Sequence, residues 1–69
     1  MSSPIHIGSI IRDELRRQGK TNNWFAKEIN VNPRTVNKIF LKGDIDTHQL
    51  LQISQTLGVD FFKYYSKLL

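Results

Sequence analysis

A short stretch of this chain carries side chains that can bond the edges of nucleic-acid bases. Arg34, Asn37 and Lys38 lie within five residues, and Lys42 follows one helical turn later. In a helix, residues three and four positions apart share a face, so these side chains would form one basic, amide-bearing strip. Arginine makes paired hydrogen bonds to guanine, and asparagine can do the same to adenine. We therefore expect Arg34, Asn37 and Lys38 to read bases, with Lys38 either reading a base or clamping a phosphate; the alternative for all of them is an ordinary solvated helix face.

A second group of side chains is suited to contacting phosphates. Thr21, Asn22 and Asn23 stand where a helix should begin, and the exposed N–H groups and dipole of a helix N-terminus favour an anion. Lys42 and Thr47 could hold the DNA backbone on the other side of the groove. For Thr21 a simple capping role is compatible with this, because its hydroxyl is also a good N-cap.

Helices must position these residues. Apolar residues recur at helical spacing along most of the chain and no segment alternates with period two, so the sequence predicts an all-α domain of four to five helices. The expected helices are 7–18, 22–29, 33–41, a fourth that follows Asp46 or Thr47 as its cap and ends at 57, and 61–68. Their expected inward residues are Ile7, Ile11, Leu15, Phe25, Ala26, Ile29, Val36, Ile39, Phe40, Leu50, Leu51, Ile53 and Leu57.

The connection between the second and third helices has a distinctive composition. Asn30 tolerates the left-handed conformation that a tight turn requires, and Val31 supplies an apolar contact within the turn. Asn32 and Pro33 then provide an N-cap and a first helical residue, which is a strong start signal. Two helices joined by a tight turn are thus predicted over about residues 21–41.

These residues resemble the Cro/repressor class of helix-turn-helix domains, also called Xre-like. The resemblance spans about residues 7–62. The residues that carry it are Phe25, Ala26, Asn30, Val31, Val36, Ile39 and the segment 50–59. It implies a compact four- to five-helix bundle of the lambda-repressor-like DNA-binding fold, with the third helix in the major groove and usually a dimer. The chain departs from the family at Asn30, where glycine is usual, at Pro33, where a polar contact residue is common, and at the ending 40–43.

The bulk composition narrows the class of protein. Sixty-nine residues with 39% hydrophobic and 23% charged residues suit one small globular domain, expected over 7–69 after a flexible arm at 1–6. The net charge of +4 favours an anionic partner. There is no cysteine, no apolar run long enough to cross a membrane and no signal-peptide pattern, so we expect a cytoplasmic protein.

The same composition gives little support for catalysis or metal binding. His6 and His48 lack a neighbouring carboxylate or cysteine at ligand spacing, so no metal site is expected; His48 is at most a weak phosphate contact. A domain this small offers little volume for a substrate pocket, so we expect no enzyme activity, cofactor or small-molecule ligand.

Aromatic residues cluster near the end of the sequence. Phe61, Tyr64 and Leu68 could form a stripe used for dimerisation or for a protein partner, or the last helix could merely close the bundle. The sequence therefore predicts a sequence-specific binder of double-stranded DNA, acting as a transcriptional regulator with repression as the expected sign. The alternative is a protein-binding module, such as an antitoxin or adaptor, that uses the aromatic C-terminal face.

Overall fold

Five α-helices form the fold in the computed structural model, which describes residues 5–69. They are α1 (Ile7–Arg17), α2 (Asn22–Glu28), α3 (Pro33–Leu41), α4 (Thr47–Leu57) and α5 (Lys63–Ser66). The described residues contain no strand, so the all-α prediction is confirmed, and they extend over 34 × 22 × 22 Å. No helix in this part of the chain has both the length and the apolar character needed to cross a bilayer.

Side chains close the N-terminal ends of the first four helices. The hydroxyl of Thr21 and the side-chain oxygens of Asn32 and Asp46 each accept a backbone N–H from the first turn that follows, at 2.8–3.0 Å. These are the predicted caps, with Asp46 chosen over Thr47. His6 was not predicted as a cap, yet its Nδ1 accepts the N–H of the residue three positions on at 3.2 Å.

The turn between α2 and α3 is held by both backbone and side-chain bonds. Asn30 has φ 59°, so the predicted left-handed turn residue is confirmed. The N–H of Val31 donates to the carbonyl of Ala26 at 2.9 Å, which is the bond of a Schellman helix ending. From α4, Nε2 of Gln52 donates to the carbonyl of Ile29 at 3.2 Å. The turn is therefore fixed from within and from a neighbouring helix.

The predicted inward residues form one buried core, with a single exception. All of them except Leu51 are at most 6% exposed, whereas Leu51 is 46% exposed and lies on the outer side of α4. The prediction for Leu51 is wrong because Leu50, one residue earlier and about 100° away around the helix, takes the inward position. The core also gains Ile5 and Phe61.

The first turn of α1 packs directly on the C-terminal end of α3. Gly8 donates its N–H to the carbonyl of Lys42 at 2.9 Å, and Ile7 donates to the carbonyl of Gly43 at 3.4 Å. A β-carbon on Gly8 would lie 2.3 Å from the Ile39 carbonyl oxygen. Only glycine therefore permits this contact, which anchors the far end of α3.

Two predictions about the ends of the domain need correction. Residues 5 and 6 do not belong to a loose arm, because Ile5 is buried in the core and His6 caps α1; residues 1–4 lie outside the described range. The final helix covers only Lys63–Ser66 rather than 61–68. Phe61 precedes it, is fully buried and stacks on Tyr64 with ring centroids 6.4 Å apart.

Candidate nucleic-acid interface

The candidate base-reading residues lie on the outward face of α3. Arg34, Asn37 and Lys38 are all exposed, while Val36 and Ile39 between and beside them are fully buried. The apolar residues therefore set the rotation of α3 about its axis and turn the polar residues outward. The part of the predicted strip that Arg34, Asn37 and Lys38 form is therefore present on the surface of the folded chain.

Asn37 makes one further contact, which connects α3 to α2. Nδ2 of Asn22, the first residue of α2, donates to Oδ1 of Asn37 at 3.3 Å. From the sequence, Asn22 is predicted as a phosphate contact and Asn37 as a base reader, and no contact between them is expected. The pairing lies between two helices, so spacing within one helix could not indicate it.

The remaining phosphate candidates lie at helix ends. Thr21 is exposed and its hydroxyl oxygen accepts the Trp24 N–H, so the predicted capping role is filled. Asn23 and Thr47 are exposed in the first turns of α2 and α4. Lys42 is the C-cap of α3 with an extended backbone, so it stands just past the helix rather than on its regular face. None of these side chains is buried.

The charges around α3 are predominantly positive. Both ion pairs found within residues 5–69 lie on α1, where Arg12 meets Asp13 and Arg17 meets Glu14. The basic side chains from the start of α2 through the end of α3 have no carboxylate partner in the described structure; they are Lys27, Arg34, Lys38 and Lys42. An anion approaching α3 would therefore meet cations that are not already neutralised.

A polar contact on α1 connects that helix to the end of α4. Nε2 of Gln18 donates to Glu14 at 2.8 Å and to the Leu57 carbonyl at 2.9 Å. Hydrogen bonds from Arg17 and then Gln18 hold the pKa of Glu14 below its usual range. The fold thus favours the charged form of Glu14. This carboxylate lies on α1 and belongs to the contacts that connect α1 to α4, not to the exposed strip on α3.

The aromatic residues take packing positions. Trp24 is half-buried against the core with Nζ of Lys20 4.9 Å from its ring centroid. Tyr64 lies beneath two ammonium groups, those of Lys63 at 5.5 Å and Lys67 at 5.3 Å. Burial, followed by the charge of Asp44, raises the pKa of Tyr65.

The predicted C-terminal face is only partly exposed. Phe61 is buried and must be removed from it, Tyr64 is half-buried, and Leu68 is exposed. Aromatic composition predicted the cluster, but the chain bends before α5 and turns Phe61 into the core. The surface left for a partner is therefore smaller than the sequence suggested.

Three residues that hold the region around α3 in place were not predicted from the sequence. Gly8 and Gln52 hold the two ends of the region around α3, and His6 caps the helix that carries Gly8. Gly8 gave one available signal, since a glycine inside a helical pattern is less favourable there than alanine and can mark a packing requirement. No comparable signal marks Gln52, because its partner is a backbone carbonyl 23 residues away.

Neither a metal centre nor a known relative gives a further indication of function. Within residues 5–69 no group of three or more histidine and acidic side chains could hold a metal ion. Comparison with models of protein families, with curated proteins and with solved structures finds no match to this chain.

Proposed function

We propose that this chain is a sequence-specific binder of double-stranded DNA, a helix-turn-helix domain of the Cro/repressor class whose α3 enters the major groove. The major groove is about 12 Å wide and accepts an α-helix. The observation that carries the proposal is the outward strip of Arg34, Asn37 and Lys38 on a helix whose opposite face is fully buried. In such domains the second helix of the motif presents its first turns to base edges.

The way α3 is held supports this function. Its N-terminal end follows the bonded turn at Asn30, and its C-terminal end accepts backbone hydrogen bonds from α1 at Lys42 and Gly43. A base-reading helix must keep its side chains in a fixed geometry, because misplaced donors lose their hydrogen bonds. Anchoring at both ends meets that requirement.

The charge distribution supports the same function. Unpaired cations along α2 and α3 would neutralise phosphates and release counterions, which supplies affinity that falls with salt. Asn23, Lys42 and Thr47 would position the duplex while Arg34, Asn37 and Lys38 select the sequence. The biological role that we propose is transcriptional repression in the cytoplasm. The protein would act as a dimer, since one small domain makes few base contacts.

Selection of duplexes from a random pool tests the proposal. We expect enrichment of a two-fold symmetric sequence with half-sites about one helical turn apart. Binding to that duplex should weaken steeply between about 50 and 200 mM salt. Failure to bind any duplex at low salt would contradict the proposal.

A second candidate function is a protein-binding module, such as an antitoxin or adaptor. Leu68 is 57% exposed beside the half-buried Tyr64, which leaves a small apolar surface at α5. The two functions differ in a simple respect, because a pure protein binder would show no salt-sensitive affinity for DNA. Leu68→Asp separates them further: it should abolish a partner or dimer contact at α5 while leaving the intrinsic base preference of α3 unchanged.

A further inference from the structure

We infer that Asn22 determines which base Asn37 reads, by holding the Asn37 amide with its NH2 group outward and so favouring guanine. This inference rests on the proposed DNA-binding function and adds to it a specificity-determining residue outside the recognition helix. Asn22 acts as a positioning residue, because it works through Asn37 rather than on the base.

The geometry gives the pair a defined direction. Nδ2 of Asn22 is the donor and Oδ1 of Asn37 is the acceptor, at 3.3 Å. Asn22 belongs to the first turn of α2, where the Thr21 cap fixes the backbone, and it is half-buried. Asn37 lies in the middle of α3 and is exposed. The better fixed of the two amides therefore orients the more exposed one.

The hydrogen bond from Asn22 uses one of the two acceptor sites of Oδ1 and turns that oxygen toward α2, so the two N–H donors of Asn37 are the groups offered to the groove. Guanine presents two acceptors in the major groove, N7 and O6, whereas cytosine presents an amino donor. Adenine would require Oδ1 to accept a second hydrogen bond, from its N6 amino group, in addition to the one from Asn22. An asparagine without this neighbour could rotate its amide and read either pattern.

The contact becomes stronger when DNA covers it. In water a hydrogen bond between exposed amides contributes little, because each amide can bond solvent instead. Between α3 and the groove floor, water is displaced and a hydrogen bond in a less polar medium is stronger. The orientation of Asn37 in the free protein is thus carried into the complex.

Four variants test the inference, each used in duplex selection followed by competition binding. Asn37→Ala should lose selectivity at one position of the selected duplex, and that position is the base pair that Asn37 reads. At this position the unsubstituted protein should prefer guanine by at least about fivefold. Asn22→Ala should reduce that preference toward the Asn37→Ala level. In the Asn37→Ala background, Asn22→Ala should have no further effect at this position.

Asn22→Asp gives the sharpest result. A carboxylate accepts hydrogen bonds only, so it should bind one N–H of Asn37 and turn Oδ1 outward, which changes the preferred base from guanine to one that presents an amino donor in the major groove, adenine or cytosine. An acidic residue in the first turn of a helix is favoured by the dipole, so the variant should fold, as thermal unfolding would verify. The new negative charge repels DNA phosphates and should lower the affinity for every duplex. The base preference is therefore taken from the relative affinities of one variant for different duplexes.

The outcomes separate this inference from the function on which it rests. If the unsubstituted protein binds no duplex, both fail. If it selects a sequence but Asn22→Ala and Asn22→Asp weaken all duplexes equally, Asn22 is a phosphate contact and only the inference is overturned. It is equally overturned if Asn37→Ala changes no position, or if the base read by Asn37 is a pyrimidine or adenine.

Discussion

The backbone N–H of Gly8 donates a 2.9 Å hydrogen bond to the carbonyl of Lys42, so the first turn of α1 closes the C-terminal end of α3. A helix end leaves carbonyl groups without partners inside the helix. Here the carbonyl of Lys42, the C-cap of α3, accepts an N–H from the first turn of α1, and the two backbones come too close for a side chain between them.

Gly8→Ala should therefore destabilise the domain by at least about 2 kcal/mol, because an added methyl group in a packed contact forces the backbone to shift. Chemical denaturation gives the free energy of unfolding. Gly43→Ala is the matched control, since its nearest neighbour would be a His6 ring carbon at 3.8 Å, and it should change stability little. Equal effects from the two substitutions would contradict the close approach at Gly8.

The left-handed residue of the α2–α3 turn makes a second prediction. Asn30 has φ 59°, a conformation that costs alanine about 1–2 kcal/mol and glycine almost nothing. Asn30→Ala should lower the free energy of unfolding by about 1 kcal/mol, while Asn30→Gly should stay within about 0.5 kcal/mol of the unsubstituted protein. Thermal unfolding of the two variants side by side measures the difference; an alanine variant as stable as the glycine variant would disprove the assigned turn.

A buried hydroxyl on α4 makes a third prediction. The Ser54 hydroxyl is buried and has no hydrogen-bond partner in the described structure. Removing it by Ser54→Ala should stabilise the domain by about 0.5–1 kcal/mol, because an unpaired polar group is costly to bury and alanine favours helix. Ser9→Ala makes the same change on α1 but removes a hydroxyl bonded to His6 at 2.9 Å. This variant should therefore be stabilised less than Ser54→Ala, or be destabilised. Denaturant titration of both variants is the measurement.

The carboxylate of Glu14 predicts a pH dependence. Its pKa is lowered in the fold from the usual value of 4.5, chiefly by Arg17 and then by Gln18. A lowered pKa means that ionised Glu14 stabilises the folded state above about pH 4.5, and that this stabilisation is lost as the pH falls through the folded-state pKa. Glu14→Gln should thus be less stable than the unsubstituted protein at pH 7, with the gap closing in acid.

The free energy of unfolding of Glu14→Gln and of the unsubstituted protein, measured from pH 7 down to about pH 3, tests whether the gap closes in acid. This range brackets the titration of carboxylates. Glu28→Gln removes an exposed carboxylate that makes no ion pair in the described structure, and it should change stability little at pH 7. A gap between Glu14→Gln and the unsubstituted protein that widens in acid would contradict the assigned contacts.

Local signals account for what the sequence predicted well. Thr21, Asn32 and Pro33 act within one turn of their own helix, so their roles are legible without knowledge of the rest of the fold. The strip on α3 was predictable for the same reason, because helical spacing alone puts Arg34 and Lys38 on one side.

Contacts between distant segments account for what the sequence did not reveal. Gly8 touches α3, and Gln52 bonds a carbonyl in the turn, through approaches that exist only once the helices are packed. Periodicity also could not decide between the adjacent residues Leu50 and Leu51. At Phe61, the bend before α5 replaced the long final helix that the aromatic spacing suggested.

Binding of Arg34→Ala to duplex DNA decides whether α3 reads bases. The variant should lose about 1–3 kcal/mol of affinity for the selected duplex and almost none for an unrelated one, because a base contact is lost rather than a general charge. Arg16→Ala removes the same charge from the exposed side of α1 and serves as the control. If Arg34→Ala weakens both duplexes equally, or no more than Arg16→Ala does, then α3 does not read bases through Arg34 and the account is contradicted.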